Sequence, residues 1–271
     1  MNSESVILRD VSIGYRQRHA EHVVARNLEA TIRSGQLTCL LGENGVGKST
    51  LLRTLSGFQP RLSGDIVVAG RNLDDYSDRE LARTIGVVLT ERPDVQQMTV
   101  EELVSMGRSP YTGFWGRLSD DDIRVCREAI GQVGIEALSG RLVSTLSDGE
   151  RQKVMIAKAL AQQTPVIYLD EPTAFLDYPT KVDMLLLLRR ISREAQKTVF
   201  LSTHDLELAL QVADEVWLME RGGRLNIGKP RELATEGVLT RFVERSEGVR
   251  FDADSMVVRV TGMPCRPGQH R

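Results

Sequence analysis

The sequence predicts an α/β fold: a mainly parallel sheet with crossover helices, a helical lobe inserted into it and a small C-terminal extension. Three observations carry this. Short apolar runs alternate with stretches of helical period, as in "VIYLD", "PTKVDMLLLLRRISREAQ" and "TVFLST", the pattern of strands joined by crossover helices. A Gly-rich turn, "GENGVGKST" (Gly42 to Thr50), sits between a strand-like run and a helix-like one. From Thr90 to Gln163 the strand-like runs stop, and only helix and loop patterns remain.

Taken in order, "VILRDVSIGY", "VVARNLEATI" and "GDIVVAG" read as strands punctuated by Asp10, Gly14, Gly64 and Gly70. "QLTCLLG" is the strand that leads into the Gly-rich turn, and a helix begins at about Lys48. "IGVVLT" is the strand that enters the helical lobe. Within the lobe, "TLSDGERQKVMIAKAL" places Val154, Ile156, Ala157, Leu160 and Ala161 on or near one helix face. Ser147 with Glu150 three residues on predicts a capping box at that helix's start. The same start, with Gly149 beside it, is also a place for an anion. "VIYLD", "TVFLST" and "EVWLME" are the late strands. After about Gly222 one helix, "RELATEGVLTRFVER", and one short strand, "MVVRV", form the extension. The expected division is therefore a domain over 1–222, its helical lobe at about 90–163, and an extension over 223–271.

Composition excludes several classes of function. With 271 residues and 41% apolar content, the chain can bury a full core. Lys and Arg number 35 against 37 Asp and Glu, so the net charge is −2 and no nucleic-acid partner is expected. The longest apolar run, "MLLLL", is too short to span a bilayer. "MNSESVILRD" has no basic segment leading into an apolar core, so no signal peptide is expected. Cys39, Cys126 and Cys265 are scattered and form no CxxC pattern, which suits reduced thiols; Cys39 reads as a small apolar strand residue.

The strongest chemical signal is "GENGVGKST". It fits G-x-x-x-x-G-K-S between a strand and a helix, the setting of a phosphate-binding P-loop. Gly42, Gly45 and Gly47 let backbone N–H groups wrap phosphate oxygens, Lys48 can reach the β- and γ-phosphates, and Ser49 can hold Mg²⁺. The second signal is "VIYLDEPT": Val166 to Leu169 form a buried strand that delivers Asp170 and Glu171 to its C-terminal end. Asp170 is a partner for Mg²⁺, and Glu171 can deprotonate an attacking water. His204 in "LSTHD" also follows a buried strand, at the sheet edge where ligands of such folds bind.

Together these residues resemble the nucleotide-binding subunit of an ATP-binding cassette (ABC) transporter, a P-loop NTPase, over roughly Val6 to Gly222. "GENGVGKST" is similar to that family's Walker A motif, "LSDGE" to its signature, and "VIYLDE" to its Walker B motif with catalytic glutamate. "FLD" (Phe175 to Asp177) matches the D-loop, His204 the switch histidine, and Tyr15 the aromatic that stacks on adenine. The resemblance implies an ATPase with ATP and Mg²⁺ as cofactors and Glu171, His204 and Lys48 in catalysis. It implies nucleotide contacts from Tyr15, Gly42, Glu43, Asn44, Gly45, Val46, Gly47, Lys48, Ser49, Thr50, Ser147, Gly149 and Asp177. It implies Mg²⁺ contacts from Ser49, Asp170 and the position of Thr90. Partners follow: a homodimer with ATP at its interface, transmembrane permease subunits, and indirectly an extracytoplasmic substrate-binding protein. The implied location is peripheral, on the cytoplasmic face of the inner membrane.

Three positions depart from the family pattern. Asp148 stands for a usual Gly and Glu150 for a usual Gln. Glu150 is absorbed by the capping box, and Asp148 is expected to point outward. Where the family has a Gln entering the helical lobe, this chain has Thr90 then Glu91, so either Glu91 or a bridging water would replace it. "GRSPYTG" is similar to the iron-chelate, haem and cobalamin importer branch. Three of the chain's 13 aromatics, Tyr111, Phe114 and Trp115, fall in this loop, and they fit either local packing or docking of a membrane subunit. The implied cargo is a ferric siderophore, with haem or cobalamin, or a mechanotransmitting role on a cell-envelope partner, as alternatives. A DNA-repair or chromosome-organising ATPase would need a coiled-coil or zinc insertion, and a ribosome-acting one usually has two cassettes. A non-catalytic module would be expected to lose Glu171 or Lys48.

Overall fold

In the computed structural model the described residues are 4–17, 20–90, 97–113, 115–245 and 248–261. The chain begins with β1 (Glu4–Gln17), β2 (Ala20–Arg33), β3 (Leu37–Gly42), α1 (Lys48–Leu55), β4 (Ser63–Val68), β5 (Arg71–Asn72), α2 (Asp78–Thr84) and β6 (Ile85–Val88). Then come α3 (Val100–Ser105), α4 (Asp120–Val133) and α5 (Asp148–Ala161). The sheet resumes with β7 (Val166–Asp170), α6 (Tyr178–Glu194), β8 (Thr198–Ser202), α7 (Leu206–Val212), β9 (Glu215–Met219) and β10 (Leu225–Gly228). α8 (Pro230–Thr235), α9 (Val238–Val243), β11 (Val249–Asp252) and β12 (Val257–Val260) follow.

A six-stranded sheet in the order β10-β9-β3-β8-β7-β6 forms the centre, with every pairing parallel except β9 with β10. Strand alternation sends its side chains to two separate cores. Cys39, Leu41, Ile167, Leu169 and Leu201 share a core with α3 to α9, whereas Leu40, Tyr168, Phe200 and Trp217 face the other way, where α1 packs. On that second face the rings of Tyr168, Phe200 and Trp217 meet edge to face, with centroids 5.9 and 5.0 Å apart. Cys39 is fully buried, as the strand reading expects, and burial pushes its thiol pKa up.

The second core is closed by a sheet the sequence pattern does not announce. "VILRDVSIGY", "VVARNLEATI" and "GDIVVAG" are strands, but they pair antiparallel in the order β2-β1-β4-β5 rather than joining the parallel sheet. Between β6 and β7 the described residues hold α3, α4, α5 and short 3₁₀ turns, with one isolated bridge between Thr99 and Leu142. The expected helix "RELATEGVLTRFVER" is instead two, α8 and α9, because Gly237 between them takes a left-handed φ of 69°. β12 has a partner, β11, with which it forms an antiparallel hairpin. Cys265, Glu91 and Phe114 lie outside the described residues.

Candidate functional site

The C-terminal ends of the neighbouring strands β3, β7 and β8 deliver the P-loop, Asp170–Glu171 and His204 to one edge of the sheet. This edge is where an open α/β sheet binds ligands. The P-loop turns at Gly47, whose φ is 114° and where a Cβ would lie 2.2 Å from Val24 Cγ1. Only glycine satisfies both the backbone and the space there. Gly47 caps α1 without any side-chain bond, and no acid lies in the helix's first turn, so its amides are suited to an anion. Buried Lys48 donates from Nζ to the Gly42 carbonyl at 2.8 Å and the Glu43 carbonyl at 3.2 Å. The loop, helix terminus and ammonium together fit a polyphosphate.

The residues beside it suit a hard cation. Ser49 Oγ donates to Asp170 Oδ1 at 3.3 Å, and Thr90 Oγ1 donates to the Asp170 carbonyl at 2.7 Å. Among the described residues no cluster of three or more His, Cys, Asp or Glu could hold a metal by itself. The oxygens present instead fit an ion that takes its remaining ligands from phosphate and water, as Mg²⁺ does.

Glu171 sits at the centre of the edge. Its backbone takes a left-handed φ of 48°, uncommon for a residue with a side chain. One carboxylate oxygen is 2.8 Å from His204 Nδ1 and the other is 3.8 Å from Lys48 Nζ. The turn is tied down by Ser202, a residue that no sequence motif singles out. The Ser202 hydroxyl is fully buried, donates to Asp170 Oδ1 at 2.6 Å and accepts from the Glu171 N–H at 2.9 Å. Tyr15 joins the site from β1: its hydroxyl is 2.7 Å from Thr50 Oγ1, and the residue is 43% exposed.

The remaining candidates lie elsewhere. Ser147, Asp148, Gly149, Phe175 and Asp177 line a cavity of about 560 Å³ that includes no P-loop residue. The capping box at Ser147 is present: its N–H and hydroxyl bond Glu150 Oε2 at 2.8 and 2.9 Å, which hold that carboxyl below its usual range. Asp148 is exposed. At Gly149 an added Cβ would meet Thr180 Cγ2 at 2.7 Å, so the helix start approaches α6 closely. Asp177 caps α6 by accepting from the Thr180 N–H at 2.9 Å, and hydrogen bonding to the Thr180 side chain and then to its backbone lowers the Asp177 pKa.

The aromatic loop divides. Tyr111 is half-buried between the guanidinium groups of Arg108 and Arg83, 3.9 and 4.8 Å from its ring centroid, and its hydroxyl donates to the Gln162 carbonyl at 2.9 Å. Trp115 is 83% exposed. Arg108 is anchored by the buried carboxylate of Asp122 at 2.8 Å.

A parallel α/β sheet with a P-loop, a strand-end Asp-Glu pair and a histidine at its carboxyl edge defines a nucleotide-hydrolysing protein. Comparison with known sequences assigns the family: the ABC transporter profile matches residues 25–174, and this chain belongs to that family. It is an ATPase coupled to transport. The ferric enterobactin transport ATP-binding protein FepC of Escherichia coli is 35% identical over 240 residues, 89% of this chain and 86% of that protein. The iron(3+)-hydroxamate import ATP-binding protein FhuC of Bacillus subtilis is 35% identical over 245 residues, 90% of this chain and 88% of that protein. A solved dimeric ATP-binding cassette in a post-hydrolysis state with ADP and phosphate is 26% identical, with a TM-score of 0.71 over 83% of this chain and 98% of that one. Among the described residues no helix is long and apolar enough to cross a membrane.

Proposed function

We propose that this chain powers the import of a ferric siderophore, as a homodimer bound peripherally to a separate permease on the cytoplasmic face of the membrane. In this reading an extracytoplasmic binding protein supplies the cargo. The observation that carries the dimer is the separation of its nucleotide-handling groups. Within one chain the signature cavity of Ser147 and Gly149 contains no residue of the P-loop. Head-to-tail pairing of two copies would bring one chain's Ser147 to the other's phosphates. The siderophore assignment is supported by relatives named for ferric enterobactin and ferric hydroxamate. A cobalamin import ATP-binding protein of Halobacterium salinarum is also 35% identical, but this chain spans only 60% of its length.

In the proposed reaction water attacks the γ-phosphorus, the bond to the β–γ bridging oxygen breaks, and ADP leaves. Glu171 takes the water's proton, and His204, 2.8 Å away, orients that carboxylate and the γ-phosphate. Lys48 and the second chain's Ser147 would stabilise the charge on the transferring group. Mg²⁺, held by Ser49 and Asp170 with Thr90 supporting Asp170, would neutralise the β- and γ-phosphates when bound. ATP binding would close the dimer and hydrolysis reset it, biasing the permease between two states. The lobe at 90–163 would receive the permease, with Trp115 exposed for it, and 223–271 would be an appended extension.

The test is reconstitution with the co-purified membrane protein in lipid. ATP-dependent uptake of a ferric siderophore, but not of haem or cyanocobalamin, is the expected result. Uptake of haem or cobalamin alone would overturn the cargo. Absence of any co-purifying transporter, with a cell-envelope enzyme in its place, would overturn the import reading.

A further inference from the structure

The P-loop of this chain carries an acid. Glu43 is the second residue of "GENGVGKST", where the ligand is a polyanion, and a carboxylate so near it should repel it. Two arginines answer that charge, and neither is part of the loop. Arg221, in the turn between β9 and β10, donates from Nε to Glu43 Oε2 at 2.7 Å. Arg245, just past α9, pairs through Nη1 with Glu43 Oε1 across 202 residues of sequence.

Arg245 is itself held in place. Its Nη2 bonds Glu220 Oε2 at 2.9 Å, and its guanidinium lies 5.1 Å from the centroid of the Phe242 ring. Glu220 is fixed in turn by the Asn226 amide at 2.8 Å. The contact also reaches the reacting end of the loop, because the Glu43 carbonyl accepts from Lys48 Nζ at 3.2 Å. One residue thus joins the extension, through its carboxylate, to the P-loop lysine, through its carbonyl.

We propose that Arg245 and Arg221 are positioning residues for ATP: they neutralise and hold Glu43, so that the C-terminal extension sets the nucleotide affinity of the P-loop. This rests on the reading of residues 42–50 as the ATP site. The lowered pKa of Glu43, caused first by its bond to Arg221, agrees with a carboxylate kept ionised and paired. The extension lies beyond the residues 25–174 that the family profile matches, and this contact gives it a role in the ATPase cycle.

The experiment uses the full chain and four variants: Arg245→Ala, Arg245→Lys, Glu43→Gln, and Glu43→Gln with Arg245→Ala. Affinity for a fluorescent ATP analogue, ATPase KM and kcat, and thermal unfolding are measured at low and high salt. Arg245→Ala should weaken ATP binding and raise KM about threefold to tenfold at low salt, with kcat at saturation changed less than about twofold. High salt should shrink the loss, because these side chains are partly exposed. Arg245→Lys should recover most of the affinity. In the Glu43→Gln background, where no charge needs neutralising, adding Arg245→Ala should change affinity less than about twofold. A merely structural tie would lower unfolding temperature without this rescue. Wild-type affinity in Arg245→Ala, or an undiminished loss in the double variant, overturns the proposal. If the unsubstituted protein shows no saturable binding that Lys48→Ala abolishes, the nucleotide reading fails instead.

Discussion

Replacing Tyr111 and Trp115 separately by Ala should separate packing from the docking proposed for this loop. Tyr111 loses a hydrogen bond to the Gln162 carbonyl, two arginine contacts with its ring, and the half-buried ring itself. A net hydrogen bond contributes about 1 kcal/mol, each cation–π contact about 0.5 kcal/mol, and partial ring burial about 1 kcal/mol. The sum is about 3 kcal/mol, which for a chain of this size is a fall in unfolding temperature of roughly 6–12 °C. Trp115, 83% exposed, has little apolar area out of water to lose, and its truncation should cost less than about 0.5 kcal/mol. Denaturant and thermal unfolding of the isolated subunit measure both values, and permease-stimulated ATPase in lipid measures coupling. Trp115→Ala should leave the free subunit's stability and ATPase nearly unchanged while lowering the permease-stimulated rate. An unfolding temperature that falls as far for Trp115→Ala as for Tyr111→Ala would refute the division, and normal coupling in Trp115→Ala would refute docking.

Three further outcomes follow from the site and the lobe. Glu171→Gln should keep ATP binding but cut turnover by at least about a hundredfold and accumulate an ATP-bound dimer on gel filtration; ordinary turnover would exclude Glu171 as the base. Thr90→Val keeps the shape but removes the 2.7 Å bond to the Asp170 carbonyl, so the Mg²⁺ concentration for half-maximal ATPase should rise severalfold; an unchanged titration would make Thr90 a tether only. Asp122, held by Ser119 and then Arg108, has its pKa lowered from 3.8 to about 2. Its contribution is therefore present above about pH 4 and lost as pH falls towards 2. The destabilisation by Asp122→Asn, read from urea midpoints, should be full at neutral pH and shrink over that window, and a pH-independent penalty would contradict this.

The parts of the fold and site that were legible in the sequence are those whose cause is local. The capping box at Ser147 and Glu150 and the P-loop each lie within a few residues, so spacing alone specifies their bonds. What stayed hidden depends on pairing between distant segments. Strand periodicity marks β1, β2 and β4 as strands but does not say with which sheet they pair, and they pair antiparallel. Ser202 looks like an ordinary strand-end serine until the fold places its hydroxyl on Asp170, 32 residues away. Gly237 fits the helical pattern of its neighbours, because a glycine inside a helix is only weakly disfavoured; its left-handed φ is visible only in the structure. The aromatic loop could be read as packing or docking, and the arginines around Tyr111 come from the segment before the lobe as well as from within it.

The contacts at the sheet edge also bear on how ATP binding and catalysis are linked. Lys48 is bonded to two loop carbonyls and lies 3.8 Å from Glu171, Glu171 is bonded to His204, and Ser49 and Thr90 are both bonded to Asp170. Every side chain assigned to phosphate, metal or water therefore already has a partner within the chain. Polyphosphate entering the loop would exchange those partners: Lys48 would turn from carbonyls to phosphate, and the carboxylate of Glu171 would lose a nearby cation. Such an exchange gains little net energy per bond, since a hydrogen bond is replaced by a hydrogen bond. In the proposed dimer the driving force for binding would come from the charge-assisted contacts and from the second chain's Ser147, whose cavity within one chain includes no P-loop residue. On this account the lone subunit should be a weak ATPase, and dimer closure is the step that converts binding into hydrolysis.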